Sequence, residues 1–187
     1  MSEKEKMMAG LPYNAADKTL VALRTKAKSL CHRYNQLAPT DEAGRRTLLR
    51  QILGSVKGTA LIEPSFWCDY GSNISVGENF YANHGLVILD GAPVRFGDNV
   101  LIGPQCGFYT AGHALDIVRR RNGEEFARPI SVGNDVWIGG HVSILPGVTI
   151  GDGSVIGSGS VVTRDIPPRV IAVGNPCRPI RSIEEEA

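Results

Sequence analysis

The sequence predicts a mostly β fold: a parallel β-helix prism of hexapeptide repeats, with an N-terminal α-helical cap and one protruding loop. Three observations carry this. From Val132 to Pro167 the chain keeps a six-residue beat, VGNDVW, IGGHVS, ILPGVT, IGDGSV, IGSGSV and VTRDIP. An aliphatic residue opens every hexad, and Gly follows it in four of the six. The same phase occurs earlier in FGDNVL, IGPQCG and FYTAGH, from Phe96 to His113, and VGENFY at Val76 fits it in a shifted frame. A short fixed period marks a solenoid, whose repeats bury their apolar residues only against the repeats above and below. One aliphatic in six is too sparse for a helix face. It suits short strands joined by Gly, Asn and Asp turns, three to a coil.

Residues 1–60 read as the cap. Asp17 can cap a helix whose apolar positions Leu20, Leu23, Ala27, Leu30 and Tyr34 recur at three and four. Asn35 to Pro39 breaks it. Thr40 is expected to cap a second helix, with Asp41 and Glu42 in its first turn and Leu48, Leu49, Ile52 and Leu53 on its buried face. Two amphipathic helices would close the open end of a β-coil, which is otherwise a sticky edge.

Residues 61–168 read as the prism. Coils about 4.8 Å apart, roughly five of them, would stand about 24 Å tall. The beat breaks once, in a loop over 114–131 that carries charge and an Asn122-Gly123 turn. A long excursion from a rigid scaffold is more often functional than decorative. After Pro167-Pro168 the solenoid is expected to stop, and 169–187 to run back as an extended segment ending in the acidic tail Glu184 to Glu186.

Composition narrows the function. A net charge of +1, without a basic tract interleaved with aromatics, gives no footing for nucleic acid. No apolar run is long enough to span a membrane, and MSEKEKMMAGLPY has no signal-peptide core. Cys31, Cys68, Cys106 and Cys177 are widely separated and form no CxxC pair, which reads as free buried thiols in a reducing cytoplasm.

The opening EKEKMMAGLPYNAADKTL, the stretch CDYGSNISVGENFYANHGLVILDG, the YTAGH motif, the hexads and NPCRPIR together resemble the maltose and galactoside O-acetyltransferase family. That resemblance covers nearly the whole chain. It implies a left-handed coil, a homotrimer, and transfer of acetyl from acetyl-CoA to a sugar hydroxyl, the C6 hydroxyl of maltose, glucose or a related sugar. The same transfer to a non-sugar acceptor, such as serine, an amino sugar or an antibiotic, is the alternative. No metal is expected: zinc enzymes on the same prism need three His, and five residues beyond His113 stands Val118.

Such a transfer needs a base, and His113 is the candidate, standing where the beat breaks, between small residues that leave room for substrate. His141 reads as a wall residue, His32 as surface, and His84 could approach the site from beside Asn83. Asn83 can donate and accept; the resemblance makes it a substrate and transition-state contact, and makes the Gly140 N–H an oxyanion donor with Trp137 as the wall beside it. For coenzyme A the resemblance assigns Gly140, Ser158, Thr163, Arg164, Arg178 and Arg181, the arginines being suited to phosphate. For the sugar the polar candidates are Asn14, Asp69, Asn83 and Asp90, with Tyr13 or Tyr70 to stack on a pyranose face.

Overall fold

Three parallel sheets wrap one apolar interior in a computed structural model that describes residues 1–184; Glu185 and Glu186 of the expected tail lie outside the described residues. Face I stacks Ser55–Val56, Ile74–Val76, Val94–Phe96, Ile130–Val132 and Thr149–Ile150. Face II stacks Ala60–Ile62, Phe80–Ala82, Leu101–Ile102, Trp137–Ile138, Val155–Ile156 and Val170–Gly174. Face III stacks Phe66–Cys68, Leu86–Leu89, Gly107–Tyr109, Ser143–Ile144 and Val161–Val162. The chain visits them in the order I, II, III and repeats, for about six turns. Inside, Phe80, Phe96 and Phe108 stack with centroids 5.0 Å apart, and above them the filling is almost wholly Val and Ile.

The pairing explains the shifted frame of VGENFY. Early coils repeat every 20 residues, as in Val56 under Val76, whereas later ones repeat every 18, as in Val132 under Ile150. The Gly of the hexads has a steric cause. Where face I turns into face II, a Cβ at Gly97 would come within 2.7 Å of the Gly133 backbone, and one at Gly133 within 2.1 Å of Asp152. Successive coils touch there through their main chains.

Two boundaries differ from expectation. The solenoid does not stop at Pro167-Pro168: Ile166 bridges to Ile150, and Val170–Gly174 adds a further strand to face II. Only then does the chain reverse, as Cys177–Ser182 pairs antiparallel with that strand. The excursion leaves after Thr110, whose N–H reaches Leu89, and is back in face I at Ile130. It is a hairpin carrying a short helix, three residues ahead of the expected 114–131.

The cap has three helices, α1 (Glu3–Met8), α2 (Lys18–Asn35) and α3 (Glu42–Ile52). Asp17 caps α2 as expected, its carboxylate accepting from Thr19 and Leu20. For α3 the cap is Asp41, accepting from Gly44 N–H at 2.9 Å, and not Thr40, which lies in the preceding turn. The first edge of the prism is closed by side chains. Asn35 exchanges two hydrogen bonds with the main chain of Phe66, and the Tyr34 hydroxyl donates to Ile62 O. All four cysteines are free and buried.

Close coil contact makes a stability prediction. Gly133→Ala should cost about 1–3 kcal/mol by overpacking, read as a lower urea midpoint without a change in slope.

Candidate active site

The excursion at the edge between faces III and I is a small sheet of its own. Ala111–His113 leads out, α4 (Ile117–Arg121, capped by Asp116) crosses, and Glu124–Ala127 returns. The N-terminal strand Tyr13–Asn14 pairs with the returning strand, so the cap supplies the third strand of the hairpin sheet. Gly112 is small for a local reason: a Cβ there would meet the Phe126 ring at 2.6 Å. His113 therefore sits on a strand packed in place. Its side chain is 63 % exposed, with Nδ1 3.8 Å from Glu125 Oε1. The other Glu125 oxygen accepts from the Tyr13 hydroxyl at 3.0 Å.

Beside the hairpin lies a polar floor. Burial pushes the Asp69 carboxyl above its ordinary range; Glu125 adds to this, and Arg24 and Lys28 oppose it. Arg24 donates to the Tyr70 hydroxyl at 2.7 Å and to Ala15 O at 2.6 Å. Asn14 is exposed, its side-chain oxygen turned back onto Ala16 N–H at 2.9 Å. Three sugar-contact expectations fail here. Asp90 is 0 % exposed, and its carboxylate accepts from the N–H groups of Tyr70 and Asn73 at 2.8 and 3.3 Å. It fastens a coil corner and offers nothing to a sugar. Tyr13 and Tyr70 are buried with Met7, Leu20 and Ala127 in a satellite core, so neither ring can serve as an open stacking platform.

Asn83, Gly140 and Ser158 lie on another edge, where face II turns into face III. They lie along one ladder, with the Gly103 coil between Asn83 and Gly140: Asn83 N–H donates to Ile102 O, Gly103 N–H to Ile138 O, and Gly139 N–H to Ile156 O. The Asn83 side-chain oxygen already accepts from His84 N–H at 2.7 Å. The carbonyl of Gly140 accepts from Gly159 N–H at 2.9 Å, and its own N–H has no acceptor among the described residues. His84 and His141 are exposed on this same edge, away from the hairpin, and His32 is exposed on α2. Trp137, 56 % exposed, stands on face II in register with Leu101 and Val155. Arg178 and Arg181 are exposed on the reversed strand that finishes this face. Thr163 and Arg164 instead follow face III, above the hairpin edge.

The expected residues thus form two groups on two edges of one prism, with face III between them. A cavity of about 670 Å³ opens elsewhere, between α3 and the first coils, and holds none of them. No cluster of three His, Cys, Asp or Glu side chains among the described residues could hold a metal. No described helix is long and apolar enough to cross a membrane. The sequence reading missed Glu125 and Arg24. Neither has a sequence signal, since each matters only through a strand or helix partner far away along the chain.

Comparison with known proteins bears on the family and the fold. The maltose acetyltransferase hexapeptide capping motif matches residues 6–58, and the bacterial transferase hexapeptide (six repeats) matches residues 129–164. The galactoside O-acetyltransferase of Escherichia coli (strain K12) is 45 % identical over 185 residues, 99 % of this chain and 91 % of that protein. This chain belongs to the maltose/galactoside O-acetyltransferase family. A solved maltose O-acetyltransferase from Clostridium difficile 630 superposes with a TM-score of 0.97 at 49 % identity, covering 99 % of both chains. A galactoside acetyltransferase solved in complex with coenzyme A gives 0.95 at 45 % identity, covering 98 % of this chain and 92 % of that one. Like those acetyltransferases, this one is an enzyme built on the hexapeptide prism.

Because Asp90 is a fastener in this acetyltransferase, Asp90→Asn should act on stability. Its amide would point a donor at a backbone N–H, costing about 1–3 kcal/mol in urea unfolding. The KM for any acceptor should stay as it was.

Proposed function

We propose that this enzyme moves an acetyl group from acetyl-CoA to a sugar hydroxyl, the C6 hydroxyl of maltose, glucose or a related sugar, by direct attack with His113 as general base. What carries the reading is an exposed imidazole on a rigid hairpin, in a chain that matches sugar O-acetyltransferases over its whole length. The hydroxyl proton passes to His113 as the oxygen attacks the thioester carbonyl. The oxyanion is held by the Gly140 N–H and by the Asn83 amide, whose oxygen is engaged and whose N–H2 remains a donor. The proton then goes from His113 to the departing thiolate. No acyl-enzyme is involved: all four thiols are buried, and no Ser is paired with His113 in the manner of an activated nucleophile.

Asn14, Asp69 and Asn83 bind the sugar. Trp137, Gly140 and Ser158 form the groove for the pantetheine arm, Thr163 and Arg164 a second wall, and Arg178 and Arg181 the phosphate contacts. Since His113 and Asn83 occupy different edges, each site is completed by a neighbouring copy, and three copies side by side make three sites. Cytoplasmic acetyl-CoA would supply such an enzyme, in keeping with four unpaired thiols.

His113→Ala should lower kcat by about 10² or more with little change in KM for acetyl-CoA, followed by thiol release with maltose and glucose. Arg178→Ala and Arg181→Ala should instead raise that KM. A shared site makes a sharper prediction. Inactive His113→Ala and Asn83→Ala chains, unfolded and refolded together, should regain activity, because some mixed trimers carry one intact site. If each chain held its own site, the mixture would stay inactive.

A further inference from the structure

We infer that Glu125 is the positioning residue of the catalytic imidazole, and that Tyr13 of the N-terminal segment holds Glu125 for that task. The inference rests on His113 being the base. Its ground is the register of the three-stranded hairpin sheet, which pairs Tyr13 with Glu125 and Glu125 with His113. Residues directly opposite across neighbouring strands share a face, so the three side chains form one row across the sheet. Their neighbours Asn14, Glu124, Gly112 and Phe126 belong to the other face.

Within the row, polarity descends from the interior to solvent. Tyr13 is 3 % exposed, Glu125 22 % and His113 63 %. Burial first, then the Glu125 charge and hydrogen bond, push the Tyr13 phenol up, so it keeps its proton and donates it to Glu125 Oε2. That fixes the carboxylate with Oε1 facing His113 Nδ1 at 3.8 Å, ion-pair range and one small rotation from a hydrogen bond. Of the other charges nearby, the Asp69 carboxyl faces Glu125 and is held above its ordinary range chiefly by burial, with Arg24 and Lys28 opposing, and the rest are engaged. Glu124 is paired with Arg119, and Arg24 with the Tyr70 hydroxyl and Ala15 O.

A carboxylate beside Nδ1 keeps a proton on that nitrogen and leaves the Nε2 lone pair free as base. During transfer the C–O ester bond forms and the C–S bond breaks. The hydroxyl proton moves to Nε2 and then to the thiolate sulfur, while the Nδ1 proton stays in place. Glu125 takes no proton; its charge stabilises the transient imidazolium, the part a triad carboxylate plays. The capping segment is thereby tied to catalysis as well as to closing the coil.

Glu125→Gln keeps shape and the oxygen that accepts from Tyr13, yet removes the charge. It should lower kcat on the order of 10- to 100-fold, change KM for acetyl-CoA little, and shift the acidic limb of the kcat/KM profile to lower pH. Tyr13→Phe should lower kcat less, and the double variant should be no worse than Glu125→Gln alone, because Tyr13 acts through Glu125. Thermal midpoints guard against a folding defect. Wild-type kcat and pH profile in Glu125→Gln, with His113→Ala inactive, would overturn this inference and leave the base assignment standing. Full activity in His113→Ala would sink both. Losses that multiply in the double variant would remove Tyr13 from the row.

Discussion

Everything here depends on the backbone contact between successive coils. Strands of neighbouring coils lie in parallel register about 4.8 Å apart, so residues at equivalent corners stand one above another. That converts a period in sequence into a vertical ladder in space. It is why Gly97 and Gly133 cannot carry a Cβ, and why Asn83, Gly103 and Gly139 pass hydrogen bonds from coil to coil along one edge. A prism fixed in this way can hold an exposed groove of small residues open without collapsing it. It can also carry an excursion as long as the hairpin without losing register, since Val94 and Ile130 pair although a whole hairpin separates them.

The same ladder explains what the sequence could and could not disclose. Hexads between Val132 and Pro167 are legible because those coils hold 18 residues, a multiple of the beat. The earlier coils hold 20, and the extra residues go into the corner between faces III and I, between Cys68 and Ile74 and between Leu89 and Val94. Their alternation of buried and exposed residues survives, but the beat does not. Corners are also where the reading of polar residues failed. Asp69 and Asp90 look alike in sequence, yet one faces the floor beside the hairpin and the other spends its carboxylate on backbone N–H groups. Nothing local distinguishes them, because the difference lies in which way a turn points. Thr40 and Asp41 pose the same problem on a smaller scale: both can cap, and the chain path decides. The short helix α1 leaves too little periodicity to register.

His113 was legible for a partly different reason from the one that puts it there. The break in the beat marks the place, but the histidine is not the last residue of the prism. It belongs to the outgoing strand of a hairpin whose other partners are Glu125, twelve residues on, and Tyr13, near the N-terminus. An imidazole at the end of a free loop would sample many rotamers. One in a three-stranded sheet, with Phe126 packed over Gly112 behind it, has its main chain held and Glu125 opposite it.

The distribution of the proposed site over two edges has an energetic logic. An exposed contact such as His113 with Glu125, an ion pair only while the imidazole carries a second proton, contributes little in water, because screening and side-chain entropy offset it. Its value rises when water is excluded, and a second prism laid against the hairpin edge would exclude it. The surface that would approach carries Leu101 and Trp137, both exposed in the single chain, in one row of face II. Association would therefore do two things at once: bury apolar surface that a lone prism leaves wet, and lower the dielectric around the base. Under the proposed function assembly and activity would not be separable properties of the chain, since a contact that held neighbours together would also make the carboxylate effective on the imidazole.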